Sequence, residues 1–399
     1  MRLRTFLLSF LFCLGIAGFA DEAPVIEPSV LSSDPHLEST GGGSVAHPFA
    51  IQAIRLNPAA FSADGSFELS GAGGLAVGPQ QLLETGEVLF SGPPLPGRFA
   101  QARSGDVTSD GFGSSASVSL GYTGNNIGLG FTSDYDVFMS TNEDSESRPA
   151  EGHLISETAL VAGLALPFSL GDTSVSVGAA VRPFIRVRGE LDDRQAMEAF
   201  AGGMPFEDAF ADTPVLNGGG LAMDAGMLVE HDPFSVGFAV RNIGDTRVAY
   251  REHSLAEVLD AAAQGRFPDG GGESGELYEP DKDYVLPMTT RFGVAWNPGW
   301  SVVDPTVFAD MQDPHLFGVG GPNCGSDSGG CGDRPLLSER FSAGVNLEVA
   351  GMFSVRAGAS RDGVAVGAGV GLGPLHLDSS VRVLGQRREH ATVGAALRF

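Results

Sequence analysis

The sequence predicts an all-β protein: a transmembrane antiparallel β-barrel of about fourteen strands, with an N-terminal hatch or plug ahead of it. Three observations carry that expectation. The segments from Ser338 to Phe399 alternate strictly between a greasy face and a small or polar one. Short turns and long connections then alternate along most of the chain. Finally, a secretory leader is followed by no apolar run approaching the roughly eighteen residues that a membrane helix needs. Only helices and closed barrels satisfy the backbone in lipid, so a secreted chain of two-sided strands points to the outer membrane.

The leader comes first. Arg2 and Arg4 precede an apolar run from Phe6 to Ala17, and Gly18-Phe19-Ala20 supplies small residues before Asp21-Glu22. This is a signal peptide over 1–20, with an apolar core too short to span a bilayer. Residues 21–65 follow as the expected hatch. They hold Pro24, Pro28, Pro35 and the Gly41-Gly42-Gly43 run, then a more apolar stretch containing Asn57-Pro58-Ala59-Ala60-Phe61. Asn-Pro favours a turn, because proline fixes its own φ and pushes the residue before it out of the helical region.

The barrel is expected over 66–399, with strands near 66–77, 113–123, 127–138, 154–168, 173–188, 216–230, 234–249, 285–296, 301–312, 338–349, 352–360, 363–372, 375–384 and 389–399. In the last of these, Phe399, Leu397, Ala395, Val393 and Ala391 share one face, while Arg398, Ala396, Gly394, Thr392 and His390 share the other. Period two with one apolar face marks a strand buried on one side. Segments of about ten residues are the length that crosses a bilayer as a barrel strand. Short turns fall at Asn125-Asn126, Gly171-Asp172, His231-Asp232-Pro233, Asn297-Pro298-Gly299, Ala350-Gly351 and Gly373-Pro374. Long connections occupy 78–112, 139–153, 189–215, 250–284 and 313–337. Short turns on one side and long loops on the other is the asymmetry of a bacterial barrel, with the short turns periplasmic.

Two long loops carry helical pattern. One runs from Arg194 to Ala201 with Met197 and Phe200; the other runs from Ser254 to Ala263 with Leu255, Val258 and Leu259. Ser254 with Glu257 three residues later reads as a capping box. Such helices either form a greasy capture groove above the barrel or pack on its rim. Cys324 and Cys331, the two cysteines beyond the leader, bracket a small outer loop and read as a disulfide in an oxidising compartment.

Composition excludes some functions. The formal charge is −25 and Lys282 is the sole lysine, so a nucleic-acid partner is disfavoured. No Gly-x-Ser-x-Gly elbow, His-Glu-x-x-His pair or P-loop occurs, so the expectation is a protein that is not an enzyme, with no metal and no cofactor. Glycines within strands serve to line a lumen or to allow close packing. Arg182, Arg241, Glu348, Asp378, Arg382 and Arg398 alternate with the apolar face and are expected inside.

Four stretches resemble the long-chain fatty acid transporter family of outer-membrane proteins, the FadL type, with its PorV-like and spirochaete-type branches. They are Asn57-Pro58-Ala59 ahead of the barrel, the strand Val236 to Gly244, Leu286-Pro287 leading into Arg291 to Trp296 and then Ala309 to Asp313, and the tail from Arg356 to Phe399. The resemblance implies a fourteen-stranded barrel with an N-terminal hatch and passive uptake of hydrophobic molecules such as long-chain fatty acids. It also implies a terminal Phe399 that serves as the signal to the barrel-assembly machinery. Amphiphiles would meet Met197, Phe200, Leu255, Val258 and Leu259, with Arg182 or Arg241 holding a carboxylate, and would pass Phe61 beside the hatch motif. The expected partners are hydrophobic small molecules and outer-membrane lipid. A secretion-associated scaffold barrel of the PorV-like kind and a general porin are the alternatives.

Overall fold

The computed structural model describes residues 25–26, 32–77, 112–139, 151–192, 210–266, 268, 283–313, 341–361, 363–384 and 388–399. The leader at 1–20, Met197, Phe200, Cys324 and Cys331 lie outside the described residues.

Fourteen strands close a barrel. They are β2 (Ser66–Val77), β3 (Phe112–Gly124), β4 (Ile127–Met139), β5 (Glu151–Leu170), β6 (Thr173–Asp192), β7 (Pro214–His231), β8 (Phe234–Arg241), β12 (Thr289–Trp296), β13 (Val303–Asp313), β14 (Phe341–Val349), β15 (Phe353–Ser360), β16 (Gly363–Leu372), β17 (Leu375–Leu384) and β18 (Arg388–Arg398). Each pairs antiparallel with its neighbours, β8 meets β12, and β18 meets β2 to close the ring. The closure extends to the last residue, where the Phe67 and Phe399 backbones exchange hydrogen bonds at 3.0 and 2.9 Å.

Alternation sorts the side chains into two environments. Outward positions are greasy and uncovered: Leu160, Leu164, Leu166, Phe168 and Leu170 on β5, Val364 and Val366 on β16, and Val393 on β18. Inward positions on the same strands are covered, among them Ala159, Val161, Ala165, Thr392 and Ala396. Apolar surface of this extent facing outward on every strand is unstable in water and stable against lipid. From Leu160 to Leu170 the band spans about 25 Å along the barrel axis, at about 3.3 Å per residue and a tilt near 40°. Phe67 lies 6.5 Å from Phe399, and Trp296 lies 6.0 Å from Trp300, at the short-turn end, where an aromatic girdle belongs. This is a membrane-spanning barrel of the outer-membrane type.

The wall is uneven. β5, β6 and β7 run for 20, 20 and 18 residues, while β12 and β14–β18 run for 8 to 11. The excess length rises beyond the lipid-facing band on the long-loop side. There the sequence expectation of one strand over 234–249 needs correction. β8 stops at Arg241, and the chain turns through Asn242, Gly244 and Asp245, all with positive φ, before β9 (Thr246–Arg247) and β10 (Ala249–Ser254). Asp224 fixes that turn by accepting from the Asn242 amide at 3.0 Å. β10 returns to β7, while β9 pairs with β11 (Tyr284–Leu286), which in turn pairs in parallel with β1 (Val25–Ile26). The expected strand 285–296 is likewise split, because Pro287 has no N–H to continue the ladder. Among the described residues, β8 and β12 therefore pair directly over Phe234–Arg241 and Thr289–Trp296, and above this break in the main ladder the two segments stay joined through β9 with β11, Asn242 Nδ2 on Pro287 O at 3.1 Å and the Met288 amide on Asp245 Oδ1 at 2.7 Å.

The segment from Asp34 to Ser62 lies inside the barrel. It comprises α1 (Pro35–Ser39), a short 3-10 turn at Ala50–Gln52, α2 (Ala53–Leu56) and a second 3-10 turn at Pro58–Ser62. Asp34 caps α1 by accepting from the His36 and Leu37 amides. The expected helix in the long loop is α3 (Leu255–Ala263), with both halves of the Ser254–Glu257 capping box formed. Its position differs from a groove above the lumen. Leu255 and Val258 pack with Val137, Leu154, Leu191 and Val215, which share the alternation of the outward residues Leu129, Leu160 and Leu221. The helix thus covers the outer face of the tall wall, because that face, raised above lipid, has to be shielded from water.

Candidate functional site

Glycines placed opposite one another on neighbouring strands make room for the inner segment. Gly128 pairs with Gly163, and both lie against the Phe61 ring; a Cβ at Gly163 would stand 2.7 Å from it. Gly178 pairs with Gly226, and a Cβ at either would overlap Pro58 or Asn57. Gly237 pairs with Gly293 around Val45, and Gly344 with Gly358 around Thr40. Gly121 pairs with Gly130 beneath Ile51 and Ile54. Five such windows bring backbone and side chains of the inner segment into direct contact with the wall.

Polar groups then fix it. Asn57 is fully buried; its amide donates to Val45 O at 2.7 Å and Met227 O at 3.2 Å, and its Oδ1 accepts from the Ala59 amide at 3.0 Å. Glu38, also buried, accepts from Arg382 Nε at 3.0 Å and Ser380 Oγ at 2.7 Å, and contacts His390 and Thr392. Burial works to raise the Glu38 carboxyl, but His390, Arg382 and Thr392 outweigh it and bring it from 4.5 down to about 2. Asp310 accepts from Ser44 Oγ and the Val45 amide, and pairs with Arg291 at 3.0 Å. Arg55 pairs with Asp134 at 2.6 Å and donates to Ser119 at 3.0 Å. Ile51, Ile54, Ala59 and Phe61 complete the seal against Val161, Ala165, Ala180 and Leu228.

A second constellation lies where the β8–β12 ladder breaks. Phe184, Leu216, Ala222, Val248, Tyr250, Tyr284 and Leu286 form one apolar cluster, with the Tyr250 and Tyr284 rings edge to face at 5.2 Å. Arg182 lies 5.7 Å from the Phe184 ring and donates to Glu157, Asp224 and Asn242. Arg186 donates to the other oxygen of Glu157 at 3.1 Å. Arg241 approaches Asp224 only at 3.9 Å, and its side chain is 37% exposed, against 5% for Arg182. Among the described residues, Arg241 is the most loosely paired of these three guanidinium groups.

Of the residues singled out in the sequence, Asn57, Pro58, Ala59 and Phe61 are brought together, and Phe61 is sealed rather than open to a solute. Arg182 and Arg241 are adjacent, but Arg182 is committed to its own carboxylates. Leu255 and Val258 face the outer wall, and Leu259 is uncovered. The residues that sequence reasoning missed are Glu38, Ser44, Tyr250 and Tyr284. Their partners are far away along the chain, so no local pattern marks them. The register-paired glycines were the available signal.

The sequence matches no family model and no curated protein. Among solved structures, the chain is similar to the Pseudomonas putida toluene transporter TodX at 12% identity and a TM-score of 0.46, covering 94% of this chain and 99% of that one. It is similar to a Pseudomonas aeruginosa FadL homologue at 13% identity and 0.45, covering 94% and 99%. It is also similar to the Ralstonia pickettii toluene transporter TbuX at 13% identity and 0.45, covering 91% of this chain and 96% of that one.

Proposed function

We propose that this barrel is an outer-membrane channel for passive uptake of hydrophobic molecules, with long-chain fatty acids as the substrate class, and that residues 34–62 are its hatch. The observation that carries the reading is the apolar cluster around Tyr250, Tyr284 and Phe184, set beside the loosely paired Arg241 at the break in the β8–β12 ladder. Each buried methylene contributes about 0.8 kcal/mol, so a long acyl chain gains affinity without specific polar contacts. A guanidinium holding the carboxylate fixes its orientation. The hatch closes the straight route through the lumen, so the solute crosses the wall sideways where β8 and β12 stop pairing. Phe399 closes the ring and is the residue the assembly machinery reads.

The test is mass spectrometry of lipid carried through purification, followed by titration with a long-chain fatty acid and with its methyl ester. The proposal expects bound amphiphile and tighter binding of the free acid. A barrel consistently empty of amphiphiles, with no binding of either compound, contradicts it.

A further inference from the structure

The wall is fastened differently below and above Arg241. Below, β8 and β12 share eight register pairs. Above, β9 and β11 share two, Thr246 with Leu286 and Arg247 with Val285, and the Val248 amide donates to Tyr284 O at 2.9 Å. Side chains supply further fastening. Asn242 Nδ2 donates to Pro287 O at 3.1 Å, Asp245 Oδ1 accepts from the Met288 amide at 2.7 Å, and Arg247 meets Asp283 at 3.4 Å in the open. Pro287 lacks an N–H, so the long ladder does not resume there. Segments tied by few main-chain hydrogen bonds are the first to open in a native protein.

Both sides of this seam are apolar. Outside, the Ile243 amide donates to Met223 O at 2.9 Å, and Met223 and Leu221 are exposed on the lipid-facing side of β7. Met223 stands opposite Val181, and Val181 opposite Ala162, so the foot of the seam is level with the upper part of the band that begins at Leu160. Inside, Tyr284 and Leu286 of β11 pack with Phe184, Leu216 and Tyr250, all of them buried. That cluster is the greasy surface of the uptake reading, and β11 covers it. A solute gains it, and then the lipid, once β11 has moved away from β9. The turn has room to move: no atom lies within 4 Å of a Cβ placed on Gly244.

We propose that the β9–β11 seam is a gate in the barrel wall, latched by Asn242 and Asp245, which parts to pass a hydrophobic molecule between the lumen and the outer leaflet. Asn242 is the pin of the latch. Besides its bond to Pro287, its amide donates to Asp224 Oδ1 at 3.0 Å and its Oδ1 accepts from Arg182 Nη2 at 2.6 Å, so it ties β6 and β7 to the β11–β12 link. Asn242 and Asp245 have φ of 54° and 58°, a conformation that asparagine and aspartate tolerate better than other side chains. The identity of what passes rests on the uptake reading; the motion of the seam does not.

A disulfide across the seam tests passage. Arg247 and Val285 form the non-hydrogen-bonded pair, since the Val248 amide bonds Tyr284 one position on. Cα atoms in such a pair lie about 4.5 Å apart, within reach of a disulfide. Arg247→Cys with Val285→Cys is placed in the full chain carrying Cys324→Ser and Cys331→Ser. Uptake of a labelled long-chain fatty acid by cells is expected to fall at least tenfold when the pair is oxidised and to recover on reduction, while the parent without the pair ignores the reductant. Unchanged uptake by protein shown to be cross-linked by mass spectrometry overturns the gate. Hydrogen exchange in phospholipid nanodiscs tests the motion with no solute and no cysteine pair. The Val248 and Met288 amides are expected to exchange at least a hundredfold faster than the amides bonded within the β8–β12 ladder, and equal protection overturns the gate. Asp245→Gly keeps the positive φ and removes the acceptor of Met288; exchange at Val248 is expected to rise about tenfold, and no change overturns the latch. Absence of uptake by the parent, with the seam amides still exchanging fast, counts against the uptake reading and not against the opening of the seam.

Discussion

The Val45 amide donates to Asp310 Oδ2 at 2.8 Å, joining two residues 265 positions apart. Ser44 Oγ and Arg291 complete the shell of that carboxylate. A charged group buried in this way is stable only while its partners stay, and removing one member of such a set costs about 3–5 kcal/mol. Asp310→Ala is therefore expected to loosen residues 42–46. Hydrogen exchange of the Val45 and Ala46 amides checks this, with at least a hundredfold loss of protection expected while strand amides of β16 and β17 stay protected.

Close approach between glycine and the inner segment gives a steric test. Gly226→Val forces a side chain into the place of Asn57 Oδ1, and Gly178→Leu does the same at Pro58. Both variants are expected to form heat-modifiable barrels whose hatch is displaced and open to protease. Gly71→Ala is the control, because the nearest atom to its added Cβ is 4.0 Å away. Protease resistance of the first two equal to that of the control counts against the seating described here.

Acid offers a third check. The folded Glu38 carboxyl, at about 2, lies below its ordinary 4.5. A depressed carboxyl stabilises the fold fully above the ordinary value and loses that contribution as pH falls toward the folded one. Hatch protection is therefore expected to stay flat from pH 8 to 5 and to decline between about 4.5 and 2. In Glu38→Gln the decline from this group disappears, and protection is already low at pH 7. Protease susceptibility across the pH series measures both.

Arg241→Ala addresses the polar end of the solute. Loss of a charge-assisted hydrogen bond costs on the order of 1.5–3 kcal/mol, so binding of a free fatty acid is expected to weaken about tenfold to a hundredfold. Binding of the methyl ester is expected to stay within a factor of two. Titration calorimetry with both ligands separates these outcomes.

Most of the strand plan was legible in the sequence because alternation is a local signal. The expected 363–372 and 375–384 coincide with β16 and β17. Ser254 and Glu257 announced α3 for the same reason, since a capping box lies within four residues. The break after Arg241 had a local signal that the strand reading passed over, since Asn242, Gly244 and Asp245 are turn-forming residues; the part that is not local is Asp224, on another strand, binding the Asn242 amide. The side of the wall that α3 covers was equally hidden, because it depends on β5–β7 rising above lipid. Glu38 gave no sign, since all its partners lie more than 340 residues away. The paired glycines could be read only as lumen lining until the register placed Gly128 opposite Gly163 and Gly178 opposite Gly226.

Uptake of a labelled long-chain fatty acid by cells tests the central claim most directly, comparing the intact protein, no protein, and a variant lacking Asn242–Gly244. Removing three residues puts Tyr250 on the inward alternation that Ala239 and Arg241 keep, so that β8 can run on into β10 as one strand. Uptake is expected to rise several-fold with the intact protein and to return to background in the variant, with the barrel still folded on gels. Equal uptake in all three would contradict a hydrophobic channel, and uptake unchanged by the deletion would contradict the route through the wall.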